Sequence, residues 1–134
     1  WARDDASRCH HNVAYWTGGD WWGIGPGAHS HVGGVRWWNR KHPAAYSTAL
    51  GAGKSPGQGR EILDAATRRE ERVFLELRLD TGLDAAVLSE RGRAQAEREV
   101  ADGLVDAGKW AEGRAVVTRQ GRLLADGIAL RLAD

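Results

Sequence analysis

Methionine is absent from all 134 positions, cysteine and phenylalanine occur once each, and proline occurs three times. A single cysteine excludes an internal disulfide framework, and it excludes any four-cysteine zinc or iron–sulfur site built from this chain alone. It also fits a reducing compartment, so cytoplasm is the expected location. No apolar run approaches the roughly 18 to 20 residues that span a bilayer, and no signal-peptide pattern opens the chain; a soluble protein is expected. Excess charge is missing as well: 19 Lys+Arg against 18 Asp+Glu leaves a formal net charge of +1. Such a balance supplies no field for non-specific binding of nucleic acid or anionic lipid. The chain is too short for a barrel enzyme of about 250 residues. With Trp1 where an initiator methionine would stand, it reads as a processed product or a piece of something longer.

What is present is unevenly spread. Residues 1–53 hold all five histidines, eight of the ten aromatics and nine of the eighteen glycines, but only five Leu, Ile or Val; residues 54–134 hold nineteen of the latter. Burial of aliphatic area at about 25 cal/mol per Å² must offset chain entropy of about 1–2 kcal/mol per residue, and the first segment is poor in it. That segment is expected to lean on additional structure. Aromatics with histidines and glycines are what line a ligand cavity, so function is expected there, and the second segment reads as a self-sufficient helical domain.

The stretch from Asp64 to Leu79 opens with an N-cap residue and puts Ala66, Val73, Phe74 and Leu77 on one face at helical spacing. After the break at Thr81-Gly82, Asp84 is expected to cap a short helix to about Glu90, with Gly92 separating it from a helix over 93–102 closed by Gly103. Leu104-Val105 and Ala115-Val116-Val117, flanking the turn-rich Asp106-Ala-Gly-Lys109, predict a two-stranded wing. Thr118 starts a last helix with Leu124, Ile128 and Leu132 in register. The predicted class is α+β, ending in a mostly helical, winged-helix-like domain. DNA is not the expected partner: between Glu90 and Asp102, Arg91, Arg93 and Arg98 sit among Glu90, Glu97, Glu99 and Asp102, a surface that repels phosphate. Gly53-Lys54-Ser55 resembles the end of a phosphate-binding loop, but Thr48 stands where its first glycine belongs; residues 51–58 read as a flexible linker.

The densest chemical signal runs from Cys9-His10-His11-Asn12 through Tyr15-Trp16 to Trp21-Trp22-Gly23-Ile24-Gly25-Pro26-Gly27-Ala28-His29. Cys9, His10 or His11, His29 and His31 could supply tetrahedral metal ligands, although the spacing fits no standard zinc pattern. Gly23-x-Gly25-x-x-Ala28 matches a dinucleotide fingerprint but is followed at once by Gly33-Gly34 and by no acidic residue near twenty further on, so it is set aside. The glycines read better as ending a short strand over Trp21–Ile24 and letting backbone approach a ligand. A flat aromatic ligand such as haem would find a histidine for iron in His10 or His11, ring faces in Tyr15, Trp16, Trp21 and Trp22, and cations for propionates in Arg36, Arg40 and Lys41. The plain alternative is that His11 and Asn12 cap a helix through Tyr15-Trp16 and the tryptophans pack against core.

These residues resemble a known family. Cys9-x-His11-Asn12-x-x-Tyr15-Trp16, the run Gly19-Asp20-x-x-Gly23-Ile24-Gly25-Pro26-Gly27-Ala28-His29-Ser30 and Arg36-Trp37-Trp38-Asn39-x-Lys41-His42-Pro43-x-x-Tyr46 are similar to the C-terminal part of the HemW family. These are the radical-SAM relatives often labelled oxygen-independent coproporphyrinogen III oxidase-like. Arg69-x-Glu71-x-Val73-Phe74-x-x-Leu77-Arg78-Leu79 and Thr118-x-x-Gly121-x-Leu123-Leu124-Ala125-Asp126 extend the likeness to the end of the chain.

The resemblance implies that residues 1–40 complete the end of a radical-SAM barrel, that 41–59 form a connecting helix and linker, and that 60–134 form the winged-helix-like domain. It implies a haem chaperone in which the HNxxYW histidine, His11, takes the iron, with Asn12, Tyr15, Trp16, Gly23, Gly25 and Gly27 around the ligand. The parent's 4Fe–4S cluster and S-adenosylmethionine would be held by the missing N-terminal barrel, since the cluster cysteines are not in this chain, and no catalytic residue is expected here. His10 beside His11 departs from the commoner basic or polar residue of the family. The alternative is the C-terminal domain of an oxygen-independent coproporphyrinogen III oxidase-type enzyme of porphyrin biosynthesis. Expected partners are the barrel and a haem-accepting protein, with self-association through exposed Trp21-Trp22 and Trp37-Trp38.

Overall fold

Gly33 and Gly34 have φ of +59° and +81°, the left-handed pair that a two-residue type I′ turn requires. They join strand β1 (His29–Val32) to β2 (Val35–Asn39) in the computed structural model, which describes residues 2–133. Strand β3 (Gly57–Ile62) pairs antiparallel with the other side of β2, giving a three-stranded sheet in the order β1-β2-β3. Helix α1 (His10–Trp16) precedes the sheet, and α2 (Pro43–Gly51), with proline in its first turn, connects β2 to β3.

By internal contacts the described residues divide into two units, one of 2–15 with 19–65 and one of 16–18 with 66–133. The first contains the sheet, and Leu63 is its one buried large apolar side chain among the described residues. The second contains α3 (Ala65–Glu76), α4 (Glu90–Ala101), α5 (Ala107–Ala111) and α6 (Ala125–Leu132), with a two-stranded sheet of β4 (Leu83–Asp84) and β5 (Arg114–Ala115). Val73, Leu77, Leu83, Val105, Ile128 and Leu132 are fully buried in one apolar cluster. The aliphatic-rich half of the sequence therefore carries the core, as its composition implies.

Helix α4 is tied to α6 by charge. Arg131 donates from Nε and Nη2 to the two carboxylate oxygens of Glu99 at 2.6 and 3.0 Å, and Gln95 Nε2 donates to the same carboxylate at 2.8 Å. Glu99 is buried, and these donors, Arg131 first, hold its carboxyl below the usual range against the opposing effect of burial.

Several local expectations change. Gly92 does not separate two helices; it lies inside α4, whose N-cap is Ser89, and a Cβ at Gly92 would stand 2.6 Å from the Leu132 carbonyl oxygen. The helix from Asp84 is a single 3-10 turn, Ala85–Val87, capped by the Asp84 carboxylate on the Ala86 amide. The wing hairpin is reduced to one Val105–Val117 bridge, because Asp106 caps α5 through the Lys109 amide and turns the expected loop into helix; Arg114–Ala115 pairs instead with Leu83–Asp84. Thr118 opens a 3-10 turn, Gly121–Leu124, before α6, and Leu124 is half exposed while Ile128 and Leu132 are buried. Residues 51–58 are not a free linker: Gly51 ends α2 and Gly57-Gln58 begin β3, in which residue 59 is an interior position. Ala66 is exposed.

Candidate functional site

On α1, at i and i+4, His11 and Tyr15 meet edge to face with ring centroids 4.8 Å apart and planes at 89°. Tyr15 in turn meets Trp21 at 4.8 Å and 60°, and Trp21 meets His31 at 4.9 Å and 45°. The Tyr15–Trp21 pair adds about 0.5–1.5 kcal/mol beyond its buried area. The column is fastened to the sheet by backbone: the Trp21 and His31 amides each donate to the other's carbonyl, at 2.8 and 2.9 Å. His31 Nδ1 lies 3.4 Å from the Gly19 carbonyl oxygen, within reach of an N–H···O bond. Asp20 Oδ1 accepts from the Gly33 amide at 2.9 Å and Gly19 donates to Ala14 O at 2.8 Å, closing the link between α1 and the β1–β2 turn. His11 and His10 are exposed at one end of this column, and Asn12 is exposed on the same helix.

The expected strand over Trp21–Ile24 is a single bridge at Trp21; the glycine-rich arm after it is irregular and is held by side chains. Gly23 N donates to Ser30 Oγ at 2.9 Å, Gly25 N to the Tyr46 hydroxyl at 3.2 Å, and Gly27 N to Arg40 O at 2.9 Å. Asn39 Nδ2 donates to the carbonyls of Gly23 and Gly25 at 3.3 and 3.0 Å. Ser30 and Asn39 are buried, so these bonds satisfy groups that water does not reach. A Cβ at Gly23 would collide with the His29 carbonyl, and Gly25 has φ of +111°, which excludes side chains for a different reason. At Gly23 the close approach is thus to the chain's own backbone.

The structure joins His11 with Tyr15 and adds Trp21 and His31, whereas Gly23, Gly25 and Gly27 belong to the clamped arm. Trp16 counts with the second unit, where the Arg78 guanidinium lies 6.0 Å over its ring. Trp22 is 70% exposed and meets Trp37 at 4.8 Å. Among the described residues no three His, Cys, Asp or Glu gather as a metal-binding group, so Cys9, His10 or His11, His29 and His31 form no tetrahedral set. Ser30, Asn39 and Tyr46 are visible only through the family motif, and nothing in their own neighbourhood of sequence marks them as clamps. Among the described residues no helix is long and apolar enough to cross a membrane.

Compared with known proteins, the chain is 45% identical over 132 residues to the heme chaperone HemW of Mycobacterium tuberculosis strain CDC 1551, a match covering 98% of this chain. The resemblance to HemW holds over the whole chain. HemW of Bacillus subtilis strain 168 is 27% identical over 126 residues, 88% of the chain and 32% of that protein. In Lactococcus lactis strain IL1403, HemW is 33% identical over 73 residues, 54% of the chain and 19% of that protein. The chain spans about a third of the length of the mycobacterial HemW proteins it matches. No protein-family model matches it. In fold it is like the Escherichia coli coproporphyrinogen III oxidase HemN, described as a radical SAM enzyme, with a TM-score of 0.64 at 23% identity over 86% of this chain and 28% of that one.

Proposed function

We propose that the chain is the C-terminal part of a HemW-like haem chaperone, in which haem is cargo and His11 is the protein ligand to its iron. The observation that supports this most is the exposed His11 imidazole, held edge-on to Tyr15 at the head of an aromatic column. One histidine suffices for axial ligation of haem, so no gathered ligand set is needed, and the ring faces of Tyr15 and Trp16 suit a flat macrocycle. In this reading Asn12 and the glycine-clamped arm at Gly23, Gly25 and Gly27 border the haem. The residues before about 40 complete the end of a radical-SAM barrel whose remainder carries the 4Fe–4S cluster and S-adenosylmethionine. The second unit serves as a winged-helix-like structural or docking domain, and haem passes to an acceptor protein in the cytoplasm.

Haem titration followed by absorption spectroscopy, with His11→Ala, His10→Ala and His29→Ala beside the parent chain, tests the reading. His11→Ala is expected to weaken binding at least tenfold and remove the histidine-dependent Soret shift, with His29→Ala unchanged. Equal loss in both, or loss in neither, overturns it. A porphyrinogen-oxidising enzyme is the rival reading, decided by whether the full-length protein consumes coproporphyrinogen III under anaerobic, reducing conditions. Consumption would replace the chaperone assignment.

A further inference from the structure

An imidazole on the exposed face of a helix ordinarily samples several staggered rotamers, and holding one of them before a ligand arrives lowers the ordering cost of binding. The His11–Tyr15 contact alone does little to fix the ring, because Tyr15 is itself 37% exposed and on the same helix. What lies behind Tyr15 decides whether it can serve as a stop. That is Trp21, which stands outside the HNxxYW element and belongs to the segment bridged to β1.

Trp21 is held through His31. Its backbone exchanges both hydrogen bonds with His31, its ring leans on the His31 ring, and the His31 ring is in turn set by the Gly19 carbonyl. The other ring nitrogen of His31, Nε2, is buried with no hydrogen-bond partner among the described residues, so apart from the Nδ1 contact to Gly19 the imidazole serves Trp21 as a packing surface. From the geometry we infer that Trp21 is a positioning residue for haem capture: backed by His31, it fixes Tyr15, and through Tyr15 it sets the orientation of the His11 imidazole. This rests on the assignment of His11 as iron ligand and adds to it two residues that reach His11 only through Tyr15. The sheet thereby acts on the ligand histidine through ring contacts.

Two measurements on the whole chain test it. In the haem-free chain, NMR of the His11 ring protons should show a displacement by the Tyr15 ring current, relative to exposed His42. Trp21→Leu should move the His11 signals most of the way to the His42 positions while the amide pattern of β2 persists, and Trp21→Phe should restore at least half of the displacement. An unchanged His11 displacement in a folded Trp21→Leu chain overturns the role of Trp21. Should Trp21→Leu lose the β2 amide pattern, His31→Leu keeps the backbone bridge and removes the ring behind Trp21; a reduced displacement supports the role, and an unreduced one overturns it. Haem titration separates the two levels. A defective His11→Ala beside a Trp21→Leu chain of parental affinity and Soret maximum overturns the role of Trp21 alone. A three- to tenfold weaker Trp21→Leu, rescued by Trp21→Phe, supports it, and an ineffective His11→Ala overturns the ligand assignment whatever the ring-proton result.

Discussion

Arg131 on α6 places two guanidinium nitrogens on the carboxylate of Glu99, a residue of α4 that is 2% exposed. Bidentate geometry and the third donor from Gln95 satisfy a charge that would otherwise be costly to bury. The Arg131 side chain is 46% exposed, so part of the attraction is screened.

Removing Arg131 leaves the Glu99 charge with one side-chain donor. Arg131→Ala is therefore expected to destabilise the chain by about 2 kcal/mol, below the 3–5 kcal/mol of a fully buried pair because water reaches the arginine. Urea unfolding at neutral pH checks this; a loss under about 0.5 kcal/mol would mean that Gln95 and solvent carry the carboxylate unaided.

The same pair sets a pH dependence. Because the Glu99 carboxyl is held below its unfolded value, its contribution is fully present above about pH 4.3 and is lost as pH falls through the lower folded value. Melting temperature against pH, compared between the parent chain and Glu99→Gln, should diverge least in acid and most above pH 5. Parallel curves over the whole range would remove Glu99 from the account.

The Trp38 ring packs against Gly59, its cross-strand partner on β3, and leaves no room there for a Cβ. Gly59→Ala forces the ring away, and overpacking of this kind costs about 1–3 kcal/mol despite the strand's ordinary preference for alanine over glycine. The expected signs are a lower melting temperature and a changed near-ultraviolet dichroism band from tryptophan. A stabilised Gly59→Ala chain would show that Trp38 moves without cost.

Asn39 closes the glycine-rich arm by donating to two carbonyls. Asn39→Ala leaves these acceptors unpaired in a partly buried place and is expected to cost about 1 kcal/mol. Hydrogen exchange should be accelerated at Gly23 and Gly25 while the α4 amides keep their protection. Uniform acceleration at both places would instead mean that the two units unfold together.

The second unit was the more legible half, and the reason is periodicity. Val73 and Leu77 stand one turn apart and both are buried, Asp84 caps the turn it precedes, and Gly103 closes α4 at φ of +72°. Gly92 misleads because a glycine in a charged run reads as a break, whereas its reason for being glycine is the Leu132 carbonyl forty residues later in the chain. Asp106-Ala-Gly-Lys109 misleads in the other direction: the residues that form a turn also form an N-cap, and Trp110 becomes half-buried only once α5 exists. In the first unit, His29–Val32, Val35–Asn39 and Gly57–Ile62 show no clean alternation, so only the Gly33-Gly34 turn hints at a sheet. The HNxxYW element pointed to His11 and Tyr15, but the approach of Trp21 and His31 depends on a bridge between residues ten apart, which no local pattern encodes.

Trp16, Thr17 and Gly18 belong by contact with a unit whose other residues begin fifty positions further on. A sequence-contiguous excision from Ala66 onward would discard Trp16 and leave the Arg78 guanidinium without its aromatic neighbour, a loss of about 0.5–1 kcal/mol for an exposed pair. Any attempt to express the helical half by itself inherits that defect, and a faithful excision would need residues 16–18 supplied as a separate peptide or grafted by circular permutation.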